Sequence, residues 1–174
     1  MPAQSWLAPL NVNTGPGAAY NTSVALTDVS PTPQLVLPAN YLQVGMQFAV
    51  VAYGTFSNTV TPTLLLGCYL GGVAGVAIAA TGATTTTTAA VSWPWRLECT
   101  FVVRSIGAAG TVLGQGFVQL ATSLTAVTTI PIPATALATV SRDTTTALAL
   151  TIGAQWGTSS ASNTLTLQGF QVNG

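Results

Sequence analysis

This sequence has almost no charge. Its 174 residues include three arginines, no lysine, no histidine and three acids, so charged residues make up 3%, where an ordinary soluble domain has about 25%. Without an imidazole, Ser-His-Asp and Cys-His nucleophilic machinery is excluded. Zinc sites built on histidine or several cysteines lack their ligands, because only Cys68 and Cys99 are present. Three arginines cannot neutralise many phosphates, so no nucleic-acid partner is expected. Asp28, Glu98 and Asp143 lie far apart in the sequence, and no local motif sets two of them up as acid and base. Gly71-Gly72 and the Gly114/Gly116 pair are followed by neither a lysine nor a helix signal, so they do not read as phosphate loops. The chain is expected not to be an enzyme and to need neither cofactor nor metal.

Long apolar runs are missing too, although the mean hydropathy is high at +0.57. The best stretch, residues 73–91, is interrupted by Gly75 and Gly82 and carries the run Thr84-Thr85-Thr86-Thr87-Thr88. It falls short of the roughly 18 continuous apolar residues a spanning helix requires. No basic segment precedes an apolar stretch at the N-terminus, so no signal peptide is expected, and an exported outer-membrane barrel is disfavoured with it. No membrane partner is expected. Two cysteines in a chain without an export signal read as reduced, buried fillers, with a cross-strand disulfide open if their strands pair.

Helix signals are as scarce as charge. There is no 3.6-residue stripe, and Glu98 is the only glutamate. Thr, Val and Ile abound, and Gly and Pro recur at short intervals, which suits many strands joined by tight turns. From residue 46 to 56, Met46, Phe48, Val50, Ala52 and Phe56 share one face, and Gln47, Ala49, Val51, Tyr53 and Thr55 the other. From 93 to 105, Trp93, Trp95, Leu97, Cys99, Phe101 and Val103 oppose Arg96, Glu98, Thr100, Val102 and Arg104. That alternation marks half-buried antiparallel sheet.

Further strands are expected at 34–37, 63–70 and 111–120, with Gly71-Gly72 turning into a return strand at 73–80. The Thr84–Thr88 run reads as a loop or weak edge strand. Two prolines in Ile130-Pro131-Ile132-Pro133 exclude a central strand there. Strands at 147–156 and 163–172 are expected to pair, with Leu165 and Leu167 facing away from Thr164, Thr166, Gln168 and Phe170. Roughly eight to ten strands at this spacing make an all-β, antiparallel β-sandwich, jelly-roll-like. Residues 1–33, punctuated by Pro and Gly with one strand-like stretch at 20–29, read as an extended N-terminal arm, and 34–174 as the sandwich domain.

Trp93-Pro94-Trp95 and Trp156 could form a sugar-stacking platform, but Trp93 and Trp95 share the parity of Leu97 and Phe101, which points them to the core. Trp6, with Leu7 and Leu10, lies outside the strand pattern. It either covers one end of the core or anchors the arm in a partner's groove. Glu98, between Arg96 and Thr100, can pair with Arg96, Arg104 or a neighbouring subunit. Trp6, Leu7, Leu10, Arg96, Glu98 and Arg104 are therefore the partner-interface candidates. Zero net charge and a Thr/Ala/Val-rich composition suit a chain packed against neighbours, while Thr, Ser, Asn and Gln also suffice to keep such a surface soluble.

The segment Thr144-Thr145-Thr146-Ala147-Leu148-Ala149-Leu150-Thr151-Ile152-Gly153-Ala154-Gln155-Trp156-Gly157, followed by Ser160-Ala161-Ser162-Asn163-Thr164-Leu165-Thr166-Leu167, resembles virion structural proteins of tailed bacteriophages, especially those of actinobacteria. Residues 64–80, with Leu70-Gly71-Gly72-Val73-Ala74-Gly75, and Trp93-Pro94-Trp95-Arg96-Leu97-Glu98 fit the same pattern. The resemblance spans roughly residues 40–172 by pattern. It implies a jelly-roll or similar sandwich serving as a head decoration (cement) protein, commonly a homotrimer on the major capsid protein. The expected location is then the outer surface of the virion head, after synthesis in the host cytoplasm. It implies no catalytic residues. A minor tail or fibre-associated protein touching the host surface, and a carbohydrate-binding sandwich module, are the alternatives.

Overall fold

The period-two alternation becomes two antiparallel sheets packed face to face in a computed structural model, which describes residues 9–13, 20–21, 24–31 and 34–174. The larger sheet holds β1 (Pro9–Asn13), β2 (Tyr20–Asn21), β5 (Gln47–Ser57), β9 (Trp93–Ser105), β10 (Thr111–Ser123), β11 (Ala126–Ile132), β12 (Val140–Ser141) and β14 (Thr164–Asn173). Its order is β1-β14-β5-β9-β10-β11, with β2 also on β14 and β12 on β10. The smaller sheet holds β3 (Thr27–Asp28), β4 (Leu35–Leu37), β6 (Thr63–Leu70), β7 (Ala77–Ala80), β8 (Thr84–Thr85) and β13 (Leu148–Trp156). Its order is β3-β13-β6-β7, with β4 on β13 and β8 on β6. The chain is thus an all-β antiparallel sandwich. It changes sheet between β2 and β3, between β4 and β5, between β5 and β6, between β8 and β9, between β12 and β13, and between β13 and β14. The strands β9, β10 and β11 stay together as a meander.

The inner faces interlock as the alternation dictates. Phe48, Val50, Ala52 and Phe56 of β5 and Trp95, Leu97, Cys99, Phe101 and Val103 of β9 are buried against Leu64, Leu66, Cys68, Leu150, Ile152 and Trp156 from the smaller sheet. Phe48 and Phe101, directly paired across β5 and β9, stack with ring centroids 4.9 Å apart. Trp95 and Trp156 are fully buried and Trp93 is half-buried against the core. The tryptophan platform weighed from the sequence is therefore absent, because these indoles build the core.

Three sequence expectations change. The strands β13 and β14 do not pair; they lie in opposite sheets, β13 beside β6 and β14 beside β5. The seven-residue link 157–163 spans the roughly 10 Å between layers. It is anchored to β6 by Gly157 N–H donating to Thr63 O at 2.8 Å, and folded back by Asn163 Nδ2 donating to Thr158 O at 2.9 Å. Phe170 lies on the same inner face as Leu165 and Leu167, because the register shifts between Leu167 and Gly169. One extra residue in a bulge resets the parity of everything after it. The return strand after Gly71-Gly72 starts only at Ala77, because both glycines take positive φ and Gly71 N–H donates to Ala149 O at 2.7 Å, drawing the turn toward β13.

In the stretch read as an arm, β1 and β2 pair with β14 and β3 pairs with β13, so its described parts are stitched to both sheets. Among its described residues, the strand-like stretch at 20–29 forms β2 and β3. The strand β11, with Pro131 and its one missing donor, ends the sheet path.

Cys68 and Cys99 are free and buried, and they stand in opposite sheets, so the cross-strand disulfide has no paired strands to join. Both side chains lie in the core between the sheets. The hydrogen bond with Cys99, and then burial, push the Cys68 thiol well above its ordinary value of 9.0. Burial likewise pushes Tyr69 above 10.0. Above those ordinary values the unfolded chain has released protons that the folded chain still holds. Stability is therefore fully present below about pH 9 and falls as pH rises beyond it. Urea midpoints under reducing conditions are expected to be level through neutral pH and to decline in alkali. Cys68→Ala is expected to decline less steeply; equal alkaline slopes would contradict this assignment.

Candidate interaction surfaces

The outer face of the larger sheet carries the residues that alternation excludes from the core. Arg96, Glu98 and Arg104 all project from β9 onto this face, as the sequence pattern requires. Arg96 Nη2 and Glu98 Oε1 form an ion pair at 2.6 Å, with side chains 51% and 34% exposed. At that exposure the pair fixes the orientation of the guanidinium and adds little stability. Arg104 stands eight residues further along the strand, about 27 Å from Arg96 at the usual strand rise. The structure therefore divides the sequence candidates between two places. Leu10 lies in β1, on the edge beside β14, while Trp6 and Leu7 lie outside the described residues.

The first place is the end of the sandwich that holds Arg104. Three chain segments distant in sequence are tied together there by Thr144, itself buried. Its Oγ1 accepts Gly107 N–H at 2.8 Å, its N–H donates to Gly107 O at 3.0 Å, and its carbonyl accepts Asn40 N–H at 2.9 Å. Gly45 N–H donates to Val103 O at 2.9 Å. Gly45 and Gly107 take φ of +90° and +105°, sharp reversals that few other residues make. Each reversal follows an apolar residue and leaves it outward: Val44 is 63% and Ile106 54% exposed, with Tyr41 nearby on the same tied loops. Arg104 and Leu137 line an adjoining cleft of about 320 Å³ with Gln47, Thr100 and Gln115. Tied loops presenting apolar tips beside few charges, Arg104 with Arg142 and Asp143 next to Thr144, have the composition of a protein-docking surface.

The second place is a row across five strands of the outer face. The register sets Gly169 beside Tyr53, Tyr53 beside Arg96, Arg96 beside Gln119 and Gln119 beside Thr129. A shallow cleft of about 310 Å³ over this row is lined by Tyr53, Pro94, Arg96, Gln119 and Val127. Tyr53 has the outer parity of β5 in the sequence, but nothing there singles it out, because the row exists only once the strands are in register.

The other polar candidates are structural. Asp28 accepts Ser30 N–H at 2.8 Å and a bond from Gln34 Nε2 on the smaller sheet. Asp143 accepts Thr145 N–H at 2.9 Å and Thr145 Oγ1–H at 2.6 Å, and these bonds lower its pKa. Arg142, its neighbour, is not paired with it. Arg142 donates from Nη1 to Ser141 O at 2.7 Å, and partial burial lowers its pKa. The three carboxylates thus sit on three separate parts of the molecule. Among the described residues, no group of three or more His, Cys, Asp or Glu gathers at a metal-binding distance, and no helix is long and apolar enough to cross a membrane. No family model, no curated protein and no solved structure matches this chain.

Proposed function

We propose that this chain is a non-catalytic structural protein of a tailed-phage virion, a decoration protein that seats one end of its sandwich on the outer surface of the head shell. The reading rests on the resemblance of residues 40–172 to phage structural proteins. The observation that carries it is the tied, apolar-tipped end formed by Tyr41, Val44 and Ile106 beside Arg104. Loops already fixed by Thr144 lose little entropy on docking. Binding only the assembled shell stabilises that shell by mass action. The major capsid protein is the partner and a homotrimer the assembly form.

The docking end carries Arg104 together with the opposite charges of Arg142 and Asp143 beside Thr144, a net single positive charge, so attachment depends chiefly on apolar burial and resists salt. Purified protein added to undecorated shells is expected to co-sediment with them and to stay bound at about 1 M NaCl. Val44→Asp and Ile106→Asp, at exposed tips that leave the core untouched, are expected to weaken binding by at least about a hundredfold, since each buries an unpaired charge. Release by moderate salt, or unchanged binding of both variants, would overturn the reading.

A further inference from the structure

We infer that the Tyr53–Arg96–Gln119 row on the outer face of the larger sheet is a binding site for a neutral, pyranose-containing glycan. This inference does not depend on the shell reading, because the row lies at the far end of β9 from Arg104.

Gly169 of β14 lies beside Tyr53 in register. A Cβ there would overlap Cε1, Cζ and Oη of Tyr53, the last at 2.6 Å. Two adjacent ring carbons and the phenol oxygen at similar distances mean that the phenol lies down on β14, where only a glycine leaves room. One ring face is thus held against backbone, and Tyr53 remains 51% exposed. The smaller sheet uses the same device and covers it. Tyr69 lies across Gly67 and Gly153, but Val73 also reaches Gly153 and Tyr69 is only 4% exposed. There the tyrosine is packing. On the larger sheet the same arrangement is left open, and its exposed ring face is a flat apolar platform at fixed height.

What stands beside the ring matches a sugar. The next strand offers Arg96, with a fork of donors oriented by Glu98 at 2.6 Å. The strand after that offers Gln119, an amide with both donor and acceptor, which reaches Thr129 Oγ1 at 3.5 Å. Pro94 and Val127 wall the cleft. A pyranose has an apolar C–H face for the ring and a rim of hydroxyls for planar donors and acceptors. Such sites combine an apolar surface with a few fixed polar groups. The strand spacing makes the row from Tyr53 to Thr129 about 14 Å long, room for a short oligosaccharide. Glu98 neutralises Arg96, so the site selects neutral sugars over uronates.

The test uses the full chain and a panel of neutral oligosaccharides (maltotriose, mannotriose, galactotriose and chitotriose) with oligogalacturonate as the anionic comparison. At least one neutral member is expected to bind in the millimolar range, shifting the backbone amide resonances of Tyr53, Arg96 and Gln119. Tyr53→Ala is expected to weaken that binding by at least about tenfold and Tyr53→Trp to retain it. Tyr41→Ala, at the other end, is expected to change nothing. Circular dichroism and urea midpoints unchanged in Tyr53→Ala keep the comparison clean. No binding by any neutral member, binding indifferent to Tyr53→Ala, or salt-sensitive binding of the uronate alone would each overturn the inference.

Discussion

Trp156→Ala is expected to lower the unfolding free energy by about 3–5 kcal/mol, the range for truncating a large buried aromatic. Trp156 ends β13, pairs in register with Leu64 of β6, and has no exposed surface. Nothing nearby is free to fill the space, since Leu64, Leu66 and Phe56 are themselves buried. A domain of this size has about 5–15 kcal/mol in total, so the variant stands near the edge of folding. Trp156→Phe is expected to recover most of the loss. The indole Nε1 is buried with no hydrogen-bond partner, so phenylalanine surrenders no bond and removes an unsatisfied donor. Urea unfolding with an unchanged slope measures both variants. A loss below about 1 kcal/mol for Trp156→Ala would mean that this end of the core is not packed as described.

Gly116→Ala is expected to be worse than its one added methyl suggests. Gly116 sits on β10 opposite Cys99 of β9, in the middle of the larger sheet. A Cβ there would collide with the carbonyl oxygen of Glu98 and stand 2.8 Å from Glu98 C and 2.9 Å from Cys99 Cα. All three are backbone atoms of a neighbouring central strand, so no side chain can swing away. Relief requires β9 and β10 to separate, which breaks their ladder. The expected cost exceeds the roughly 1–3 kcal/mol of ordinary overpacking. Gly45→Ala is the comparison: at Gly45 a Cβ meets nothing within 4 Å, but φ is +90°. It should cost only about 1–2 kcal/mol, from backbone strain alone. Urea midpoints and soluble yields rank the pair; equal effects would contradict the close approach of β9 and β10.

The parts of this fold that could be read from the sequence are those where alternation runs uninterrupted. In β5 and β9 every other residue is apolar over ten or more positions, so the face of Tyr53, Arg96, Glu98 and Arg104 follows directly. The inward parity of Trp95 likewise follows from Leu97 and Phe101. In β14 the same logic fails at Gln168, because a bulge carries no composition signal strong enough to reveal the lost register. Chain neighbours usually pair, which misplaces β13 and β14. What separates them is decided by Thr63 and Thr158, residues outside both strands. The interaction surfaces were the least legible. Val44 and Ile106 become neighbours of one tied end only through Thr144, and the Tyr53 row draws on five strands. No local motif encodes either. The candidates Arg96, Glu98 and Arg104 looked like one set on one strand face, yet strand rise alone puts them at two sites.

The central claim is that this chain serves by seating a sparsely charged, apolar-tipped end on a protein shell. A reconstruction of the particle with this protein located in it tests that claim most directly. Hundreds of copies are expected on the head exterior, with the loops of Val44 and Ile106 against the shell and the Tyr53 row facing solvent. A handful of copies confined to the tail, or copies on the head with that loop end turned away from the shell, would contradict it.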